Sequence, residues 1–148
     1  MRKIFRVVLI LLGIAAAGLL LSSLIWPPIN DVSTGKTAEY PDIQPIILDA
    51  DVTETFWIAA KTAKSMPLWV LTSVQLKDLK IKAEARTPTL GFVDRVEISL
   101  VPKGAKVEVH MRSRSQVGRS DLGVNARRIR RFFKKLGANM QITRLNKK

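Results

Sequence analysis

Between Arg112 and Asn125 the chain places Arg112, Arg114, Arg119, Ser113, Ser115, Ser120, Gly118 and Gly123 between a strand pattern and a helix pattern. Arginines and hydroxyls bind oxyanions, and glycines let a backbone turn its N–H groups toward one point. The helix that follows adds its own unpaired amides at the positive end of its dipole. The chemistry expected of this stretch is anion binding, with Arg119, Ser120 and the first helical amides at its centre. Asp121 is expected to cap the helix and Asn125 to secure the same turn. Arg114 reads as a solvated residue on the polar strand face. Arg112 is as compatible with a cross-strand pair to Glu97 as with a ligand contact.

Asp94 is the second residue of interest. It shares its side of a strand with Phe92, Val96, Ile98 and Leu100, so it is expected to face the core. If the following hairpin closes Val101 on Lys106, Asp94 lies opposite Ser113 and diagonal to Ser115. A buried carboxylate needs such partners, and the expected role is a tie between Ser113, Ser115 and the amides of the turn from Gly118 to Gly123. The competing role is a general base, with Arg119 as an anion clamp, in a small hydrolase or transferase.

Other chemistries are excluded by composition. The chain has no cysteine and one histidine, His110, so disulfides, thiolate or histidine metal sites and a cysteine nucleophile are not expected. No catalytic triad, metal site or cofactor motif is identified.

The elements that must position these residues follow from periodicity. Asp51 precedes Glu54 as in a capping box, and Phe56, Ala59, Ala63 and Met66 share a helical face ahead of Pro67. Period-two patterns over 68–76, 79–86, 92–100 and 106–116 predict four strands, with Pro102, Lys103 and Gly104 as the turn of the last hairpin. Ile129, Phe132, Phe133 and Leu136 predict a final helix over 124–136, ended by Gly137. Such short connections allow only antiparallel pairing. The expected fold is α+β: a four-stranded antiparallel sheet with two helices on one face, in the order helix, four strands, helix. Trp57 and Trp69 are expected in the core.

Ahead of this body, Arg2, Lys3 and Arg6 precede an uncharged stretch from Val7 to Ile25 and then Trp26, Pro27 and Pro28. Nineteen helical residues reach about 28 Å, which predicts a transmembrane helix with Trp26 at the interface. A cleaved signal peptide is the alternative. Basic residues before the span, and Asp31, Glu39 and Asp42 after it, orient the body outside the cytoplasm. The expected organisation is an anchor at 1–26, an extended linker at 27–45 and one domain at 46–148, held in the cytoplasmic membrane with its body on the periplasmic side.

The net charge of +13 is unevenly spread: residues 103–148 hold 14 basic against 2 acidic residues. Arg127, Arg128, Arg130, Arg131, Lys134 and Lys135 are expected to form a basic helix face. Anionic lipid, an envelope polymer or an acidic protein are the partners this favours, with nucleic acid disfavoured by the expected location.

The string Gly91, Phe92, Val93, Asp94, Arg95, Val96, then Arg112, Ser113, Ser115, Gly118, Ser120 to Asn125, and Arg127, Arg128, Ile129 resembles the domain-of-unknown-function family 1499. Asn30, Asp31, Val32, Ser33 and Thr34 are similar to the same family's N-terminal signature, and the resemblance covers about residues 29–137. It implies a small domain, often behind a membrane or export segment, and no reaction. Arg95 stands where many relatives have a second Asp, and Gln116 where they commonly have Arg, so the resemblance carries over no paired carboxylate. The functional expectation is a membrane-tethered binding or scaffolding module without catalysis.

Overall fold

A computed structural model describes residues 2–88 and 91–145, and within its first helix the side chains of residues 3–18 and 21. The elements run α1 (Arg2–Ile25), β1 (Asp31–Ser33), β2 (Ile46–Leu48), α2 (Val52–Lys64), β3 (Trp69–Gln75), β4 (Lys80–Arg86), β5 (Val93–Lys103), β6 (Lys106–Ser115) and α3 (Val124–Leu145). The sheet has six strands, not the expected four. All pair antiparallel in the order β1-β6-β5-β4-β3, and β2 pairs with β6 beside the end that β1 leaves free. The two extra strands are three residues each, too short to show a period, and the first falls within the stretch that reads as linker.

Local chemistry explains the main elements. Asp51, in extended conformation, accepts the Glu54 N–H at 2.8 Å and starts α2. β4 alternates strictly, with Ile81, Ala83 and Ala85 buried and Lys80, Lys82, Glu84 and Arg86 exposed. The β5–β6 hairpin closes Lys103 on Lys106 through Gly104 and Ala105, with Gly104 at φ 62°, the left-handed region that a two-residue hairpin turn requires. This register is two residues away from the expected one. It carries Pro102 into the strand opposite Val107 and sets Asp94 opposite Ser115 instead of Ser113. A two-residue slip keeps every side chain on its face, so the core is unaffected.

The α3 helix runs through Gly137 to Leu145, because Leu136 and Met140 extend the buried stripe of Ile129 and Phe132 beyond the glycine. Packing of the stripe outweighs the roughly 1 kcal/mol that an internal glycine costs. Ile98, Met111 and Val109 on the sheet, Phe56 and Ala59 on α2, and Phe132 on α3 form one core with Val32 of β1. Trp69 stacks on Phe132 at 6.0 Å. Trp57, expected in the core, is 53% exposed and meets Phe56 edge-on. Among the described residues no helix covers the opposite face of the sheet, where Lys80, Lys82, Glu84 and Arg86 stand exposed.

Among the described residues no helix is long and apolar enough to cross a membrane. This overturns the expected transmembrane span at 7–25 and the single-pass, inner-membrane placement drawn from it; the side chains of residues 19, 20 and 22–25 lie outside the described set, as does the end of the basic tail, 146–148. Trp26, expected at a bilayer interface, packs on the body instead, with the Arg127 guanidinium 5.7 Å from its ring centre.

Candidate functional site

Three places on the body hold the residues that could do chemistry. The first lies between the sheet and the start of α3. Asp94, 1% exposed, accepts from Arg128 at 2.6 Å, and Arg128 is itself only 8% exposed. The second guanidinium nitrogen of Arg128 donates to Ser113 Oγ at 2.9 Å and to Asn125 Oδ1 at 2.5 Å. Asn125 Oδ1 also accepts from Ser113 Oγ at 2.6 Å, and its Nδ2 donates to Ser115 Oγ at 2.9 Å and to the Asn30 carbonyl at 3.0 Å. All four hydrogen-bonding positions of that amide are used. Asp94 Oδ1 alone is left without a partner.

The tie expected around Asp94 therefore joins β5, β6, α3 and the residue preceding β1, but through Arg128 and Asn125 and not through turn amides. Arg128 had been expected on the basic surface. Its spacing places it among Asn125, Ile129 and Phe132 on the inward stripe, and that is the signal by which it could have been found. Asp94 is enclosed at the core side of the sheet with its Oδ2 held by the Arg128 guanidinium.

The second place is the turn. Both carboxylate oxygens of Asp121 accept from backbone, Gly123 N–H and Asn125 N–H at 2.8 Å each. Ser120 Oγ accepts the Leu122 N–H at 3.4 Å. Three of the amides expected to receive an external anion, those of Leu122, Gly123 and Asn125, are thus occupied by the chain's own side chains. Asn30 closes the turn by donating to the Gly118 carbonyl. Arg119 is exposed and lines a shallow groove beside Asp31, Lys36 and Glu39.

The basic helix face is likewise largely engaged. Arg127 donates to the Leu122 carbonyl, Arg130 forms two hydrogen bonds to Asp42 and lies over the Tyr40 ring at 5.5 Å, and Lys135 donates to the Ser65 carbonyl. Only Arg131 and Lys134 of the six expected residues stand exposed without such a bond among the described residues. The helix cations fasten α3 to the loops around it. Tyr40 carries a buried hydroxyl with no partner, and burial raises its pKa above the ordinary value.

The third place was not singled out: the open face of the sheet. Registry sets Glu84, Arg95, Arg114 and Asp31 in one row across β4, β5, β6 and β1, and Lys82, Glu97, Arg112 and Ser33 in the next. Arg95 and Arg114 are direct neighbours, a like-charge pair that costs stability. A groove of about 580 Å³ runs over these rows, lined among others by Thr72, Lys82, Arg95, Arg112 and Arg114. Volumes of roughly 300–1,000 Å³ are usual for ligand sites. The sequence signal was present in the alternating charges of β4 to β6, but the sum of their positions needs the register. His110 lies on the same face, 3.3 Å from Glu108.

Arg112 makes no ion pair within 4.0 Å with Glu97, its neighbour on β5, among the described residues, and grips Asp31 through Nε at 2.9 Å and through a second nitrogen at 2.5 Å. Arg114 approaches the same carboxylate at 3.9 Å. The hydrogen bond from Arg112 holds the Asp31 carboxyl below its ordinary pKa, against the effect of its partial burial and with help from the charges of Arg112 and Arg114. The same bond raises Arg112. A depressed folded pKa stabilises the fold above the unfolded value of about 3.9, and the contribution disappears as pH falls through the lower folded value. Asp31→Asn should therefore lower the urea midpoint at pH 7, with the difference from wild type closing as pH falls below about 4. Parallel midpoints from pH 7 to 2 would show that the pair adds nothing.

No curated protein matches the chain. A family model described as "Protein of unknown function (DUF1499)" matches residues 24–136, from just before Trp26 to the buried Leu136, and so takes in the clasp, the turn and the open face together. The chain belongs to the DUF1499 family.

Proposed function

We propose that this chain is a non-catalytic binding module that takes an anionic partner on the open face of its sheet. The observation that carries this reading is the direct cross-strand juxtaposition of Arg95 and Arg114 beneath an uncovered groove. Neither makes a short ion pair: Arg95 has none within 4.0 Å among the described residues, and the nearest carboxylate oxygen to Arg114 is 3.9 Å away. Two adjacent cations left in this state favour a bound oxyanion, which removes their mutual repulsion and accepts their hydrogen bonds. In this reading the turn at Gly118 to Asn125 and most of the helix cations are supporting structure, because the donors of Leu122, Gly123, Asn125, Arg127, Arg130 and Lys135 are taken by the chain itself and Arg119 shares its groove with Asp31 and Glu39. Among the described residues no aromatic side chain lines the groove to serve as a platform for stacking nucleic-acid bases.

Calorimetric titration of the full chain with citrate tests the reading. Arg95→Glu should weaken binding by about tenfold or more, as expected for losing a charge-assisted contact of roughly 1.5–3 kcal/mol. Lys134→Glu, of equal charge change on the helix, should shift affinity far less. Equal losses in the two variants would mean that only the net charge of the protein attracts citrate.

A further inference from the structure

The groove's length and charge order narrow what it holds. From Arg114 on β6 to Thr72 on β3 it crosses three strand spacings of about 4.8 Å, roughly 14 Å in all. That is more than a small diacid spans and about four residues of extended chain. Its cationic part is on β5 and β6, its middle on β4 carries Lys82 and Glu84, and its far end on β3 offers uncharged Thr72 beside exposed Val70. A carboxylate suits the cationic part better than a phosphate. Arg112 already holds one there, Asp31, in the planar side-on geometry of the guanidinium fork. Glu84 and Glu97 flank the arginines, and they repel a compact dianion more than a singly charged carboxylate.

We propose that the partner is an acidic peptide segment of another protein, laid across β6 to β3 with a carboxylate between Arg95 and Arg114 and its uncharged residues toward Thr72 and Val70. This rests on the open-face reading and assigns its ligand.

The test is fluorescence anisotropy of the full chain with a labelled hexapeptide of alternating Glu and Val, and with its Gln-for-Glu counterpart. The Glu peptide should bind, the Gln peptide should bind at least about tenfold more weakly, and Arg95→Ala and Arg114→Ala should each reduce binding by a similar factor while Arg131→Ala leaves it unchanged. Succinate should displace the peptide, and phosphate at pH 8, of equal charge, should do so less well. Equal displacement by phosphate, with the same dependence on Arg95, would overturn the carboxylate assignment and leave the open-face site intact. Succinate binding as tightly as the peptide would assign the groove to a free diacid. Failure of the Glu peptide, succinate and phosphate all to bind wild type, or binding indifferent to Arg95 and Arg114, would defeat both the assignment and the site.

Discussion

Asp94→Leu is expected to destabilise the folded chain by about 3–5 kcal/mol, the usual cost of removing one partner from a buried ion pair. The reason is Arg128. With the carboxylate gone its guanidinium stays enclosed between β5, β6 and α3, holding Ser113 and Asn125 but without a counter-charge. Asp94→Asn retains an acceptor and the side-chain shape, and should cost less, about 1–3 kcal/mol. Combining Asp94→Leu with Arg128→Met should recover much of the loss, because a well-packed apolar pair can replace a buried ion pair at little cost. Denaturant unfolding at pH 7 measures all three. A loss under about 1 kcal/mol for Asp94→Leu would mean that Arg128 escapes to water and that the clasp does not hold the helix to the sheet.

Gly123→Ala carries the second large effect. Gly123 has φ 74°, which costs a residue with a Cβ roughly 1–2 kcal/mol. The added Cβ would also lie 2.5 Å from Trp26 Cδ1 and 3.0 Å from both Trp26 Nε1 and an Arg127 nitrogen. The indole must move, and with it the stack against Arg127 that seats the chain ahead of β1. The combined loss should reach about 2–3 kcal/mol. In a Trp26→Ala background the clash with the indole vanishes and the flexible end of Arg127 can move aside, so Gly123→Ala should there cost little beyond its backbone share. Additive losses in the double-mutant cycle would show that Trp26 does not rest on Gly123 in solution.

Much of the body was legible because its signals are local. The cap at Asp51, the inward stripe of α2 and the alternation of β4 to β6 each follow from neighbouring residues, and so does the inward position of Asp94. What was not legible depends on distant partners. The strands at Asp31–Ser33 and Ile46–Leu48 exist because β6 offers them an edge, and three residues carry no period of their own. Arg128 reads as one more cation in a basic run until Asp94, Ser113 and Asn125 are seen around it. Asp31 reads as a charge after an apolar segment, yet its partner is Arg112, 81 residues away. The apolar N-terminal run illustrates a different error: hydropathy suggested a span, whereas among the described residues no helix is long and apolar enough to make one. Gly137 misled in the same manner, since a stop signal yields when the buried stripe continues beyond it.

In the proposed function the cations of this protein fall into two groups: those of α3 and its turn, most of them bonded to neighbouring loops, and the pair Arg95 and Arg114 on the open sheet face. Arginine side-chain Nε–H spectra of the full chain, recorded during a citrate titration at constant ionic strength, test that division directly. The account predicts saturable shifts at Arg95 and Arg114, with Arg119, Arg127, Arg130 and Arg131 nearly still. Shifts concentrated at Arg119 or spread over the α3 arginines, with Arg95 and Arg114 unmoved, would contradict it.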